Sequence, residues 1–306
     1  MYKKFYGLQE NPFNVTPDPR YLILTPHAEE ALACLTYGVM NHKGFILLSG
    51  EVGTGKTTLL NKMLEGLRLQ GVATAFVFNV RFNVPQFFDY VLADFGLPHE
   101  PRLKSQMLLS LNQWLVERYQ AGGTTALVID EAHLMSSELL EEVRLLTNLE
   151  TSSEKLLQIV LSGQPELEHR LRRPDLRQLR QRITLRTKTY PLALEETRQY
   201  VVERLKVAGS DGRPTFTPEA VELIHKYARG IPRVINTLCE HALINSFADQ
   251  QPLIGTEVIQ GVAKDFELDR IDPMGPPPSG VSPEEWRRRQ ALHNAALLMG
   301  RFRRPE

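Results

Sequence analysis

The sequence predicts an α/β protein with a parallel sheet of five strands, followed by a small domain made only of helices. Three observations carry this prediction. Short apolar runs alternate with segments of helical periodicity as far as about residue 190, a pattern typical of a parallel sheet covered on both faces. A glycine-rich loop follows the first of these runs. From Leu194 onward the periodicity is helical throughout.

The predicted elements follow from these patterns in chain order. The first helix, 27–41, places Ala28, Leu32, Leu35 and Val39 on one face. Apolar runs predict strands at 45–49, 73–79, 125–130, 156–163 and 182–186. Helices are predicted between them at 56–69, 85–95, 104–120 and 136–149. The helical domain is predicted to contain helices near 194–208, 217–229, 231–247 and 255–267.

Proline-rich segments mark the predicted domain boundaries. The first 26 residues contain four prolines, which exclude a long regular element and predict an extended arm lying on a core. A second proline-rich segment follows the helical domain and is expected to act as a linker. The chain is therefore divided into an arm (1–26), an α/β domain (27–190), a helical domain (191–268), a linker (269–281) and a basic amphipathic tail helix (282–306).

Composition indicates a folded protein of ordinary balance. Of the 306 residues, 42% are apolar and 24% are charged, and the 36 basic side chains equal the 36 acidic ones. A net charge of zero gives no overall electrostatic attraction to nucleic acid. The two cysteines, Cys34 and Cys239, form no disulfide framework, and neither a signal peptide nor an apolar run of about 18 residues occurs. We therefore expect a cytoplasmic protein.

The glycine-rich loop has the spacing of a phosphate-binding loop. It matches the Walker A pattern G-x-x-x-x-G-K-[ST] and lies between a predicted strand and a predicted helix. Glycines let backbone N–H groups surround phosphates, helped by the positive end of the following helix. Lys56 is predicted to reach the β- and γ-phosphates of ATP, and Thr57 to bind Mg²⁺. The predicted nucleotide-binding residues of this loop are Gly50, Glu51, Val52, Gly53, Thr54, Gly55, Lys56, Thr57 and Thr58.

An acidic pair follows the third predicted strand. The apolar residues 126–129 are followed by Asp130 and Glu131, as in a Walker B motif. Asp130 is predicted to bind Mg²⁺, usually through water, and Glu131 to act as the general base that polarises the attacking water. The pair follows the phosphate loop with one strand–helix unit between them, which strengthens both assignments.

Two other interpretations of these motifs fit the chain less well. The letters Asp-Glu-Ala-His at 130–133 also occur in DEAH-box helicases, but those enzymes need a second ATPase-like domain, and only a helical region follows here. A protein that binds ATP without hydrolysing it would not need Lys56, Asp130 and Glu131 together. Mg²⁺-dependent hydrolysis of ATP is therefore the predicted activity.

Five motifs occur in a particular order along the chain. They are Tyr-Gly-Leu-x-x-x-Pro-Phe-x-x-x-Pro-Asp-Pro at 6–19, Gly-Phe-x-x-x-x-Gly-Glu-x-Gly-Thr-Gly-Lys-Thr at 44–57, Ser-Gly-Gln-Pro-Glu-Leu at 162–167, Leu-Arg-Gln-Arg-Ile at 179–183 and Gly-x-Pro-Arg-x-Ile-Asn at 230–236. In this order they resemble the ExeA group of AAA+ ATPases, over about residues 1–268. The resemblance implies a P-loop NTPase fold of the AAA+ type, in which the helical domain is the lid. It also implies assembly into a homo-oligomer, as a ring or a filament.

The resemblance assigns roles to polar residues outside the two Walker motifs. At the end of the fourth strand it implies a sensor of the γ-phosphate, with Gln164 as the first choice and Ser162 as the second. Among Arg177, Arg180 and Arg182 it implies an arginine finger, which a neighbouring subunit supplies to the γ-phosphate. Arg182 is the first choice and Arg180 the second. A solvated or ion-paired surface arginine is the alternative at each position.

The same resemblance implies contacts to the nucleotide from the arm and the lid. Arg233 matches the sensor-2 arginine, which reaches the phosphates from the lid and couples the nucleotide state to the angle between domains. Pro12, Phe13 and Tyr190 are candidates for enclosing the adenine ring, with ordinary packing as the alternative.

Two biological functions are compatible with these motifs. The resemblance implies assembly or conformational work in an envelope secretion or surface-polymer export system, with a protein partner from that system. The alternative is an ATP-dependent, nucleic-acid-binding assembly regulator like the transposition ATPases, which share the same core. The neutral charge of the chain and its lack of a known DNA-reading module disfavour that alternative.

Two basic segments leave several interpretations open. Residues 168–188 are rich in arginine and are either a nucleic-acid-binding stripe, a set of subunit contacts including the finger, or a solvated helix face. The tail at 282–306 combines arginines with leucines and Trp286. It is expected to dock on a partner or on the inner face of the cytoplasmic membrane, or to stay solvated.

Overall fold

The computed structural model describes residues 2–78, 80–98, 103–152 and 154–268. By internal contacts the chain divides into two compact units. The α/β unit comprises residues 24–50 and 56–189, and the helical unit comprises the described residues of 2–23, 51–55 and 190–268. The N-terminal segment and the middle of the phosphate loop thus group with the helices. The expected linker and tail helix lie outside the described residues.

The α/β unit is built on one sheet of five parallel strands. The strands are β1 (Phe45–Ser49), β2 (Ala73–Val77), β3 (Thr125–Ile129), β4 (Gln158–Gly163) and β5 (Ile183–Lys188). They lie in the order β2-β3-β4-β1-β5, so β4 separates the two strands that carry the Walker motifs. This confirms the predicted fold class. It also brings the carboxyl ends of β1, β4 and β3 together, where open α/β sheets bind ligands.

Seven helices of this unit are described. They are α1 (Pro26–Met40), α2 (Lys56–Leu69), α3 (Val84–Asp94), α4 (Lys104–Gln120), α5 (Ser137–Leu146), α6 (Pro165–Leu171) and α7 (Arg177–Arg182). Side chains cap several of their N-termini: Thr25 accepts from the Ala28 N–H at the start of α1, and Ser136 accepts from the Leu139 N–H at the start of α5. All residues of β1, β3 and β4 are buried, as expected for central strands of a covered sheet.

Helices α6 and α7 lie where the sequence analysis assigned no helix bounds. Arginines dominate the composition of this stretch and obscure its apolar periodicity. The core of the α/β unit nevertheless contains Leu167, Leu171, Leu176 and Leu179, each at most 2% exposed. These leucines hold the segment against the sheet and leave most of its arginines exposed.

The helical unit contains α8 (Leu194–Val207), α9 (Pro218–Ala228), α10 (Pro232–Ala248) and α11 (Thr256–Asp265). Its core also includes apolar residues of the N-terminal arm, namely Tyr2, Tyr6, Leu8 and Phe13. The arm is therefore part of this hydrophobic core. Among the described residues, no helix is both long and apolar enough to cross a membrane.

Candidate nucleotide-binding site

The flanks of the glycine-rich loop belong to the α/β unit. The loop leaves β1 at Gly50, where a Cβ atom would clash with Oγ1 of Thr189. The Lys56 side chain is buried, and its Nζ donates to the Gly50 carbonyl at 2.8 Å. A buried ammonium group is thus held against the loop, where phosphate oxygens would be its natural partners.

The middle of the loop belongs to the helical unit. Gly53 and Gly55 have φ angles of +78° and +91°, which side-chain-bearing residues rarely adopt. A Cβ atom on Gly53 would lie 2.8 Å from Cβ of Arg233. The Arg233 backbone N–H also donates to the Gly53 carbonyl at 3.2 Å. The predicted sensor-2 arginine therefore lies in the first turn of α10, next to Gly53 of the phosphate loop, and its side chain is exposed.

Two oxygen-bearing side chains meet between the first turn of α2 and the end of β3. Oγ1 of Thr57, in the first turn of α2, donates to Oδ2 of Asp130 at 2.6 Å. Asp130 is 3% exposed, and its other oxygen accepts from Oγ of Ser162 at 2.7 Å and from the Glu131 N–H at 2.9 Å. A hydroxyl and a carboxylate are the oxygen ligands that Mg²⁺ prefers. This donor set and the glycine-lined loop fit ATP and Mg²⁺.

Glu131 follows β3 in a strained conformation. Its φ angle is +52°, in the left-handed region that residues other than glycine seldom occupy. Its side chain is 38% exposed, whereas the Asp130 beside it is buried. Strain of this kind persists where the surroundings enforce it, and it often occurs at functional sites.

His133 belongs to this cluster, although sequence reasoning gave it no role. Its Nε2 lies 3.5 Å from Oε2 of Glu131, and its Nδ1 lies 3.4 Å from the backbone nitrogen of Gln164, which donates to it. Burial lowers the pKa of His133, and the negative charge of Glu131 partly opposes this shift. The letters of the DEAH motif were its only signal in the sequence.

The two sensor candidates at the end of β4 have different surroundings. Ser162 is fully buried, and its hydroxyl is engaged with Asp130. Gln164 is partly exposed at the N-terminus of α6, and its side chain makes no capping bond to that helix. These contacts favour Gln164 as the residue that would meet a γ-phosphate.

The three finger candidates also differ. Nη1 of Arg182 donates to Oγ1 of Thr147 at 2.6 Å, so this arginine is held within its own α/β unit. Arg177 and Arg180 are exposed on α7. The geometry therefore favours Arg177 and Arg180 over the first choice from the sequence, because an exposed side chain can reach a neighbouring subunit without breaking a bond.

The adenine candidates lie in the helical unit. The Pro12 carbonyl accepts from Nε of Arg204 at 2.5 Å. The Phe13 ring is 1% exposed and meets Phe216 edge to face at 6.0 Å between centroids. Tyr190 is 50% exposed. Phe13 thus performs a packing role, and Tyr190 has the more accessible ring.

Comparison with known proteins agrees with this geometry. Residues 39–171 match the family described as an AAA domain. General secretion pathway protein A of Aeromonas hydrophila is 43% identical over 249 residues, which is 81% of this chain. Over these residues the chain is similar to the ExeA-like AAA+ family. It spans 45% of the length of that relative.

Solved structures show the same fold for the ExeA-like chain. Cdc6p of Pyrobaculum aerophilum superposes with a TM-score of 0.65 at 16% identity, covering 83% of this chain and 70% of that one. The Drosophila ORC bound to DNA gives a TM-score of 0.64 at 19% identity, covering 96% of this chain and 78% of that one. At this identity the likeness is one of fold alone.

Proposed function

We propose that this chain hydrolyses ATP with Mg²⁺ and uses the energy for assembly or conformational work. The observation that carries the proposal is the pairing of Thr57 with Asp130 at 2.6 Å, with Glu131 adjacent to it. This pairing connects the Walker A loop to the acidic end of β3. Hydrolysis needs a metal site and a base together, and the proposed metal ligand Asp130 and the proposed base Glu131 are consecutive residues.

Each side chain has a definite part in this proposal. Thr57 and Asp130 would hold Mg²⁺, which when bound neutralises charge on the β- and γ-phosphates. Lys56 would exchange the Gly50 carbonyl for phosphate oxygens. Glu131 would take a proton from the attacking water. Gln164 would orient that water or the γ-phosphate from the end of β4.

Replacement of Glu131 by glutamine tests the proposal. Glu131→Gln should bind ATP normally but release phosphate at least about 10²-fold more slowly, because the amide cannot accept a proton. Glu138→Gln makes the same chemical change on the exposed first turn of α5 and should be silent. Lys56→Ala should reduce both binding and turnover. Normal phosphate release by Glu131→Gln would remove the general base from the proposal.

We further propose that the chain works as a homo-oligomer whose sites are completed by an arginine from the next subunit. The exposed arginines of α7 support this, because within one chain they lie on the outer surface. Turnover per subunit should then rise with protein concentration. Mixing Arg180→Ala with Lys56→Ala protein should restore activity at mixed interfaces. Full activity in a species that light scattering identifies as a monomer would contradict the proposal.

The name of the Aeromonas relative supports a place in secretion. We propose cytoplasmic work, where ATP is available, with a protein partner in an envelope secretion or surface-polymer export system. Cells lacking this chain should retain exported protein or polymer that normal cells release, and Glu131→Gln protein should not restore release. Unchanged export in cells without the chain would exclude this role.

A nucleic-acid-binding function is the second candidate. Exposed arginines occur along residues 172–186. Phosphate contacts of this kind give dissociation constants of roughly 10⁻⁴ to 10⁻⁶ M near physiological salt, and the affinity falls as the salt concentration rises. A nanomolar, ATP-dependent affinity for duplex DNA would favour this function over secretion.

A further inference from the structure

The imidazole ring of His133 contacts two residues of the site, Glu131 after β3 and Gln164 after β4. One ring nitrogen faces the Glu131 carboxylate, with 3.5 Å between Nε2 and Oε2. The other faces the backbone of Gln164, with 3.4 Å between Nδ1 and the amide nitrogen. The ring therefore lies between the predicted base after β3 and the predicted γ-phosphate sensor after β4.

The two contacts determine which nitrogen carries the proton. A backbone N–H can only donate, so Nδ1 of His133 must offer its lone pair to Gln164. The neutral ring then carries its hydrogen on Nε2, the atom that faces the acceptor oxygen of Glu131. A contact of 3.5 Å is long for a hydrogen bond, but catalytic hydrogen bonds often shorten only when substrate binds.

The backbone around His133 is held from two directions. Nη1 of Arg170, on α6, donates to the His133 carbonyl at 2.6 Å. A Cβ atom on Gly163 would lie 3.3 Å from the backbone nitrogen of His133 and 2.8 Å from Cδ2 of Leu167. The end of β4 therefore packs directly against the backbone at His133. The ring is only 9% exposed. It is thus packed in place and suited to hold a neighbouring side chain.

We propose that His133 is a positioning residue for ATP hydrolysis, which holds the Glu131 carboxylate through Nε2–H and ties it, through Nδ1, to the backbone of Gln164. The base then follows any movement of the segment that would meet the γ-phosphate. The inference rests on the proposed function of Glu131 as general base. It assigns a role to the histidine of the Asp-Glu-Ala-His sequence at 130–133.

Two substitutions of His133 separate the contributions of its two ring nitrogens. The carbonyl of His133→Asn can accept from the Gln164 N–H but cannot reach Glu131, whereas the longer amide of His133→Gln can donate to Glu131. The asparagine variant should lower kcat by about 10- to 100-fold, the value of a hydrogen bond to a charged group, while ATP binding stays within about twofold. The glutamine variant should recover most of the lost rate.

A double variant tests whether His133 acts through Glu131. Adding His133→Asn to Glu131→Gln should cause little further loss, because the side chain that it positions is already inactive. Thermal unfolding of each variant monitors folding. Losses that simply multiply in the double variant would mean that the histidine acts independently of Glu131, and this would overturn the proposal.

The tautomer of His133 can be measured in the unsubstituted protein, so this test does not depend on the activity of any variant. Nitrogen-15 NMR of the histidine rings should show His133 as the neutral tautomer protonated at Nε2, assigned by the signal that disappears in His133→Gln. A ring protonated at Nδ1 would overturn the proposal.

Kinetic outcomes separate this inference from the proposed function. If Glu131→Gln is inactive while His133→Asn turns over normally, or if His133→Gln is as slow as His133→Asn, the positioning role is wrong and the general base stands. If ATP binding falls as much as kcat, the histidine supports the nucleotide pocket instead, and the positioning role is again wrong. If Glu131→Gln retains normal turnover, the proposed function itself fails.

Discussion

In each unit of the protein a network of polar groups surrounds one buried charge, and these two networks are constructed differently. In the α/β unit, the Asp130 carboxylate accepts from the hydroxyls of Thr57 and Ser162. In the helical unit, the Arg204 guanidinium, 5% exposed, donates to the carbonyls of Pro12 and Asn14. One network centres on an anion and the other on a cation, and both charges are almost completely removed from water.

The difference between them lies in what their partners can do. The partners of Arg204 are main-chain carbonyls and the hydroxyl of Tyr200, and its guanidinium lies 4.4 Å from the centroid of the Tyr21 ring. These groups tie the N-terminal arm to α8 and have nothing to exchange for a ligand. The hydroxyl of Thr57, by contrast, can turn its lone pairs toward a cation that Asp130 also binds. A buried charge whose partners can be exchanged for a ligand indicates a binding or catalytic role. A buried charge enclosed by main-chain carbonyls and aromatic rings indicates a role in stabilising the fold.

The largest expected effect concerns the Asp130 network. Asp130→Asn should reduce ATP turnover by at least about 10²-fold, because loss of the metal's anionic ligand removes several kcal/mol of charge stabilisation. The free energy of unfolding should change by only about 1 kcal/mol, since an amide can still bond both hydroxyls. Ser162→Ala is the control, because it removes one partner and keeps the carboxylate. Phosphate release and urea unfolding measure the two quantities, and a large loss of stability without loss of turnover would reverse the comparison.

The second prediction, of intermediate size, concerns the Arg204 network and its contribution to the free energy of unfolding. Arg204→Met keeps most of the side-chain volume but leaves the Pro12 and Asn14 carbonyls without their charged donor, so the free energy of unfolding should fall by about 3 kcal/mol. Arg198 lies on the same helix as Arg204 and forms exposed ion pairs to Glu195 and Glu222. Arg198→Met removes these pairs and should have a far smaller effect. Urea unfolding checks this. If turnover below the unfolding transition falls as far as in Asp130→Asn, the two networks do not differ in purpose.

The smallest effect is a pH dependence in the helical unit. Burial lowers the pKa of His225, whose Nδ1 is 2.9 Å from Oγ1 of Thr197. The unfolded chain therefore binds a proton at His225 more readily than the folded protein does. The free energy of unfolding is unaffected by this group above about pH 6.5, and it declines as the pH falls from there toward the lower pKa of the folded state. His225→Asn removes this titration and should lose less stability between about pH 7 and pH 5. Equal losses for both proteins in urea titrations would contradict the assignment.

Local sequence patterns were sufficient for much of the architecture. Apolar runs bounded by turn residues predict β1 and β3 because central parallel strands are buried on both faces. The glycines of the Walker A loop are compatible with positive φ angles, and Gly53 and Gly55 adopt them. Capping and periodicity place most helices within a few residues of their observed bounds. The exception is the α6–α7 stretch, where arginines conceal the buried leucines.

The sequence by itself determined the fold class, the phosphate loop and the acidic residues after β3, because each depends on short-range periodicity or on the backbone freedom of glycine. The tertiary structure alone decided which distant residues meet. The strand order puts the end of β4 between the Walker motifs, which engages Ser162 with Asp130 and sets Gln164 against His133. Contacts between residues far apart in the chain depend on how strands and helices pack, and no local pattern encodes that packing.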